Sequence, residues 1–173
     1  MRRFIYILPL FILVGCGEES KPELKKPMNW NAQESSKFNK SLAEKEARDI
    51  QLFLEMRPDW DVRETGSGLR IWKYKEGEGE SPIPGDIAKI EYKISLLDGT
   101  ECYKTEEGYH EEVRVDKSDL ETGVQEALKL MQVGDEAKLI VPSHIAHGLL
   151  GDLNKIPPLK SLVIDLKLTG IKK

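Results

Sequence analysis

The sequence predicts an α+β fold in which an antiparallel sheet packs on one short helix, with a further helix ahead of it. Two observations carry this. Apolar and polar residues alternate with period two in several segments between Leu69 and Ile171, the pattern of strands with one buried and one wet face. Between Leu120 and Met131 the period changes to helical, and this helix and the sheet each have one apolar side to hide, so they cover each other.

The first strand spans Leu69 to Tyr74. A loop rich in Gly and Pro follows from Gly77 to Gly85. From Ala88 the alternation is clear, with Ala88, Ile90, Tyr92, Ile94 and Leu96 on one face and Lys89, Glu91, Lys93 and Ser95 on the other. Asp98-Gly99 is a hairpin turn signal. A return strand runs through Cys102 and Tyr103, and Val113 to Val115 forms another short one. Ser118 or Asp119 is expected to cap the helix carrying Leu120, Val124, Ala127, Leu128 and Met131, and Gly134 to end it in a left-handed stop. Ala137 to Val141 and Ser161 to Ile171 are the last strands, the latter with Leu162, Ile164, Leu166 and Leu168 inward.

Ahead of the sheet, Ser35 to Met56 predicts an amphipathic helix with Phe38, Leu42, Ile50, Phe53 and Leu54 near one stripe. Ser35 or Ser36 can cap it, and Pro58 ends it. The stripe is covered by its own domain, the reading preferred here, or by a second copy in a homodimer through residues 35–56.

The first residues read as a targeting segment. Arg2 and Arg3 form a positive start, and Phe4 to Val14 is an apolar run broken only by Pro9. It is shorter than the roughly 20 residues a membrane span needs and suits a secretory signal. The organisation expected is a signal peptide over 1–15, a tether over 16–34, a helix and linker over 35–65 and a globular domain over 66–173. The net charge of -4 over 173 residues excludes a general nucleic-acid binder, which carries a basic excess. Cys16 and Cys102 are the only cysteines.

Leu13-Val14-Gly15-Cys16 resembles the bacterial lipobox. The resemblance implies cleavage before Cys16 and acylation of its thiol and new amino terminus. Several acyl chains anchor a protein stably where one does not. Cys102 is then left without a disulfide partner. Gly17 after the acylated cysteine favours the outer membrane over retention at the inner one.

Further motifs resemble the FKBP-type peptidyl-prolyl isomerases. Thr65-Gly66-Ser67-Gly68-Leu69 with Gly77-Glu78-Gly79 is similar to the entry of bacterial FKBP domains. Tyr92, Leu96, Asp98 and Gly99 match the family's Y-x-G-x-L-x-D-G hairpin, with Ile94 in place of its glycine. Gly123, Leu128, Met131 and Gly134 match the helix and its exit. Pro142 to Gly148 matches P-x-x-x-A-Y-G with His147 for tyrosine, and Gly151, Ile156, Pro157, Pro158 and Leu162 match the ending. The resemblance implies a curved sheet wrapped around the helix, isomerase activity on proline-containing proteins, and no cofactor. A lipoprotein signal, a helical stalk and one such domain together also resemble the gliding-motility-associated lipoproteins.

Carried over by position, the resemblance implies a cradle of Tyr92, Cys102, Tyr103, Leu120, Glu121, Val124, Ala146, His147, Ile156 and Ile164. Tyr92, Ala146 and Ile156 keep the family's residues, and the backbone N–H of Glu121 stands where the family donates to a substrate carbonyl. Cys102, Val124 and Ile164 replace aromatic residues, Tyr103 replaces an aspartate, and His147 replaces a tyrosine that donates a hydrogen bond. A wider or shallower pocket is expected, with weak isomerase activity and poor binding of macrolide inhibitors. The alternative is a non-catalytic binding module or chaperone in an envelope complex. Tyr92, Val124 and Ile164 also suit a plain core, since they lie on apolar faces. His144 and His147 have an H-x-x-H spacing, but a metal site needs further ligands, and no metal is expected. Cys102 has no adjacent base to lower its pKa, so a semi-buried pocket residue is expected rather than a reactive thiol.

Overall fold

The computed structural model describes residues 31–173; the expected signal peptide, Cys16 and most of the tether lie outside the described residues. Helix α1 (Ala32–Glu55) is followed by strands β1 (Arg63–Glu64), β2 (Arg70–Lys75), β3 (Ile87–Leu96), β4 (Glu101–Lys104) and β5 (Glu111–Arg114). Helix α2 (Thr122–Leu130), strand β6 (Glu136–Val141), a 3₁₀ turn (Ser143–Ile145) and strand β7 (Leu162–Lys172) complete the chain. All seven strands form one antiparallel sheet in the order β1-β2-β6-β7-β3-β4, with β5 beside β3.

The long central strands β3 and β7 place their apolar residues on one face. Ala88, Ile90, Ile94 and Leu96 are buried there, as are Leu162, Ile164, Leu166 and Leu168. Val124, Ala127 and Leu128 of α2 pack into the same core. The approach of α2 to the sheet is close enough that a Cβ on Gly123 would stand 2.6 Å from Val141 Cγ1. The other edge of β3 is shared between two strands: β5 pairs its first half and β4 its second. Between them Thr105 bridges to Tyr92, with Thr105 N donating to Tyr92 O at 3.0 Å and Tyr92 N to Thr105 Oγ1 at 3.1 Å.

Helix α1 docks through Ile50 and Phe53, which form a second small core with Ile140, Trp60, Leu97 and Val163. Ile140 and Val163 are paired across β6 and β7 and alternate with the inward Leu139 and Ile164, so α1 covers the opposite face of the sheet from α2. Its own domain therefore covers the C-terminal half of the stripe.

Several local expectations are corrected. Helix α1 starts three residues earlier than Ser35, because the Asn31 side chain accepts from Glu34 N at 2.9 Å and is the cap. Helix α2 starts at Thr122 without a side-chain cap, because Ser118 is engaged by Gln125. Gly134 has the expected positive φ of 99°, but it lies past the helix end, in the turn where its N–H donates to Leu168 O. There a Cβ would meet Gly77 Cα at 3.0 Å. The short β1 and the 3₁₀ turn carry no periodic signal and were not expected.

Candidate active site

The register of the sheet assembles a cavity at its inner face. Tyr92 pairs with Leu166, and Ile94 pairs with Ile164 on one side and Tyr103 on the other. Paired residues share a face, so these side chains form a continuous floor. The start of α2 adds Leu120, Glu121 and Val124 along one side. The segment between β6 and β7 adds His147 and Asp152 along the rim. The cavity encloses about 220 Å³.

Seven of the ten expected residues line it: Tyr92, Tyr103, Leu120, Glu121, Val124, His147 and Ile164. Cys102, Ala146 and Ile156 do not. Cys102 is the extra residue of a β-bulge, since Ile94 pairs with Tyr103 while the next residue, Ser95, pairs with Glu101. A bulge re-aims the side chains beside it. The Cys102 side chain is 2 % exposed and its thiol contacts Lys155 O and Thr100 O rather than the cavity. Burial pushes that thiol up, the opposite of what a reactive cysteine needs. Ile156 is core, and its N–H donates to Asp152 Oδ1 at 2.7 Å. Ala146 packs against the same core from the loop. Ile90, Ile94, Leu166 and Asp152 line the cavity without having been singled out as site residues. The alternation of β3 and β7 contains the signal for the first three. For Asp152 no local pattern does.

The polar groups are few and tied to one another. His147 Nε2 stands 2.9 Å from Glu121 Oε1, a contact across the cavity between a side chain 29 % exposed and one 10 % exposed. Tyr103 Oη donates to Asp152 Oδ2, and Asn154 Nδ2 donates to Tyr103 Oη at 3.2 Å. Burial pushes the Asp152 carboxyl up, but the bonds from Tyr103 Oη, Asn154 N and Ile156 N outweigh it and hold the group at about 2. Tyr92 is pushed up to about 12, first by burial and then by its hydrogen bond to the Glu111 carboxylate, so its phenol keeps its proton. Glu121 precedes the first turn of α2, and its N–H makes no hydrogen bond among the described residues. That is one of the donors a helix start leaves for a ligand.

His144 and His147 diverge. His144 Nε2 faces Ser67 O at 3.0 Å, away from the cavity, while His147 faces Glu121. Among the described residues no group of three or more His, Cys, Asp or Glu is placed to hold a metal ion.

An apolar floor, two phenols and one free backbone donor suit an apolar ring with a carbonyl beside it. Comparison with known proteins agrees. Residues 78–169 match the model of the FKBP-type peptidyl-prolyl cis-trans isomerases. The chain is 36 % identical over 110 residues to a probable FKBP-type isomerase, FkpA, of Neisseria meningitidis, covering 64 % of this chain and 40 % of that one. It is 30 % identical over 138 residues to FkpA of Escherichia coli, covering 79 % and 50 %. The chain thus spans about half the length of such curated relatives. Among solved structures, the crystal structure of Escherichia coli FkpA superposes with a TM-score of 0.66 at 29 % identity, covering 80 % of this chain and 64 % of that one. A peptidyl-prolyl isomerase from Pseudomonas syringae shares the fold, with a TM-score of 0.64 at 23 % identity over 75 % of this chain and 96 % of that one. The order of elements, the cavity at the inner face and these matches agree that the chain belongs to the FKBP-type peptidyl-prolyl cis-trans isomerase family.

Proposed function

We propose that this protein catalyses cis–trans isomerisation of X-Pro bonds in exported or cell-envelope proteins, with a pocket that makes it a weak isomerase. The cavity built on Tyr92, Val124 and Ile164, with Glu121 at its side, carries the reading. Rotation about a peptide bond meets a barrier of roughly 18–20 kcal/mol because resonance resists twisting, and X-Pro bonds exchange slowly unaided. The planar amide is more dipolar than the twisted one. An apolar cradle therefore favours the twisted form relative to the planar ground state, which is the differential binding catalysis requires. The Glu121 N–H holds a neighbouring carbonyl, and the Tyr92 ring walls the edge.

Weakness follows from what lines the floor. Val124 and Ile164 present less surface than aromatic rings, and His147 Nε2 is engaged by Glu121 rather than aimed at a ligand. The same engagement favours the second reading, a non-catalytic FKBP-fold module that holds proline-containing partners in an envelope complex, gliding motility included. A tetrapeptide series varied before proline separates the two. Acceleration over buffer that Tyr92→Ala abolishes, with the circular dichroism spectrum retained, is the expected result. Rates equal to buffer across the whole series sink the isomerase reading.

We further propose that the protein is lipid-anchored through Cys16, facing the periplasm or the cell surface. One relative, 28 % identical over 142 residues, is named outer membrane protein MIP of Legionella longbeachae, and the lipobox resemblance points the same way. Cys16→Ser should move the protein from the membrane fraction to the soluble one. Unchanged fractionation would rule the anchor out. Leu52 on α1 and Met56 just past its end, 58 % and 72 % exposed, are the surface a homodimer would use.

A further inference from the structure

His147 and Asp152 reach the cavity from the segment between β6 and β7, Pro142 to Ser161. This segment is cross-linked to itself. Ser143 O accepts from Ala146 N and Gly148 N at 3.1 and 2.8 Å, Gly148 O accepts from Leu159 N at 2.9 Å, and Asp152 Oδ1 accepts from Asn154 N and Ile156 N at 2.9 and 2.7 Å. These bonds tie the segment to itself between its two roots, and Ile145 and Ile156 seat it on the core.

Both roots are held by a single side chain from α1. Glu46 Oε1 accepts from Ser143 N at 2.7 Å and from Ser161 Oγ at 2.6 Å, and Glu46 Oε2 accepts from Ser143 Oγ at 3.1 Å. Ser143 follows the end of β6 and Ser161 precedes β7, and each is 5 % exposed. Hydrogen bonds to a carboxylate are stronger than neutral ones, and removing it strands buried donors. Glu46 is separated in sequence from these partners by 97 and 115 residues. The apolar docking of α1 is made elsewhere, by Ile50 and Phe53.

We propose that Glu46 is a positioning residue for the site. It sets the roots of the segment that presents His147 and Asp152, which makes α1 a part of the isomerase unit rather than a spacer. On the opposite wall β3 and β7 are held by the sheet ladder and α2 by its packing into the core, so the 2.9 Å contact between His147 and Glu121 registers a shift of the roots. The catalytic arm of this proposal depends on the isomerase reading.

The test uses the mature full chain, with peptide kinetics and amide hydrogen exchange measured well below the melting temperature. Glu46→Ala should raise KM by about fivefold with kcat within about twofold, because the loosened segment must be ordered by the substrate. Amides between Ser143 and Ile156 should lose protection while those of β3 and β7 keep it. Glu46→Gln retains an acceptor oxygen and should restore KM and protection to near wild type. Ser161→Ala, a milder change, should move both in the direction of Glu46→Ala. A purely structural Glu46 would lower the melting temperature and leave KM and segment protection unchanged, and that result overturns the proposal. Wild-type rates equal to buffer would instead sink the isomerase reading, and the exchange pattern alone then decides the role of Glu46.

Discussion

At the residue scale, the site differs from a purely apolar cradle in its polar rim, and the rim is self-contained. Glu121 meets His147, and Tyr103 meets Asp152. The second pair has a measurable consequence. The Asp152 carboxyl is held at about 2 in the fold, below its ordinary 3.8. Between those values the unfolded chain binds more protons than the folded one, so stability rises with pH there. The Asp152 contribution is therefore present in full above its ordinary value and lost as pH falls through about 2. Asp152→Asn removes the titrating group. The urea midpoint of the wild type should exceed that of Asp152→Asn at neutral pH, and the difference should shrink only below about pH 4. A difference that stays constant down to pH 2 would show that Tyr103, Asn154 and Ile156 gain nothing from the charge. Unlike Asp152, Tyr92 and Ile164 were legible as an inward apolar face, because they alternate with charged neighbours, while their place in a site was implied only by the family resemblance. Glu46 was not, since one acid among many on a polar helix face looks like every other until the fold brings Ser143 and Ser161 to it.

At the element scale, what was legible follows from how local the cause is. Strands β3 and β7 declare themselves because a buried sheet face demands period two over ten or more residues. The hairpin between β3 and β4 follows from Asp98-Gly99, where Gly99 takes a φ of 90° and Asp98 Oδ1 accepts from Thr100 N at 2.9 Å. Helix starts were misplaced where another residue took the capping role, as Asn31 does for α1, or where the expected cap is engaged by a side chain of the helix itself, as Ser118 is by Gln125. The parity of β4 was out of reach for a similar reason. Whether Cys102 or Tyr103 faces the cavity depends on a register shift against β3, and a one-residue slip exchanges the two faces. The bulge gives the cavity a phenol with a carboxylate partner and removes the thiol to the core.

At the scale of the whole molecule, the sheet carries two helices with different duties. Helix α2 fills the concave side and shares its core with the cavity floor. Helix α1 covers Ile140 and Val163 on the other side and reaches around to the roots of the β6–β7 segment through Glu46. No α1 residue belongs to the core behind α2, so removing α1 leaves the residues of that core in place. Phe53 and Trp60 meet edge to face at 5.7 Å, and Trp60 lies against Trp72 at 5.5 Å. A chain beginning at Pro58 therefore keeps an aromatic cover over the sheet after α1 is gone. It should unfold in one cooperative transition, because its main core is intact, at a lower urea midpoint and with a slightly smaller slope, because less surface is buried. Its amides between Ser143 and Ile156 should exchange as they do in Glu46→Ala, since both changes release the same roots. Equal midpoints for the two lengths would mean that α1 does not stabilise the sheet. Loss of the transition altogether would mean that the layers fold as one. Full protection of the segment without α1 would detach the helix from the site and leave it a stalk.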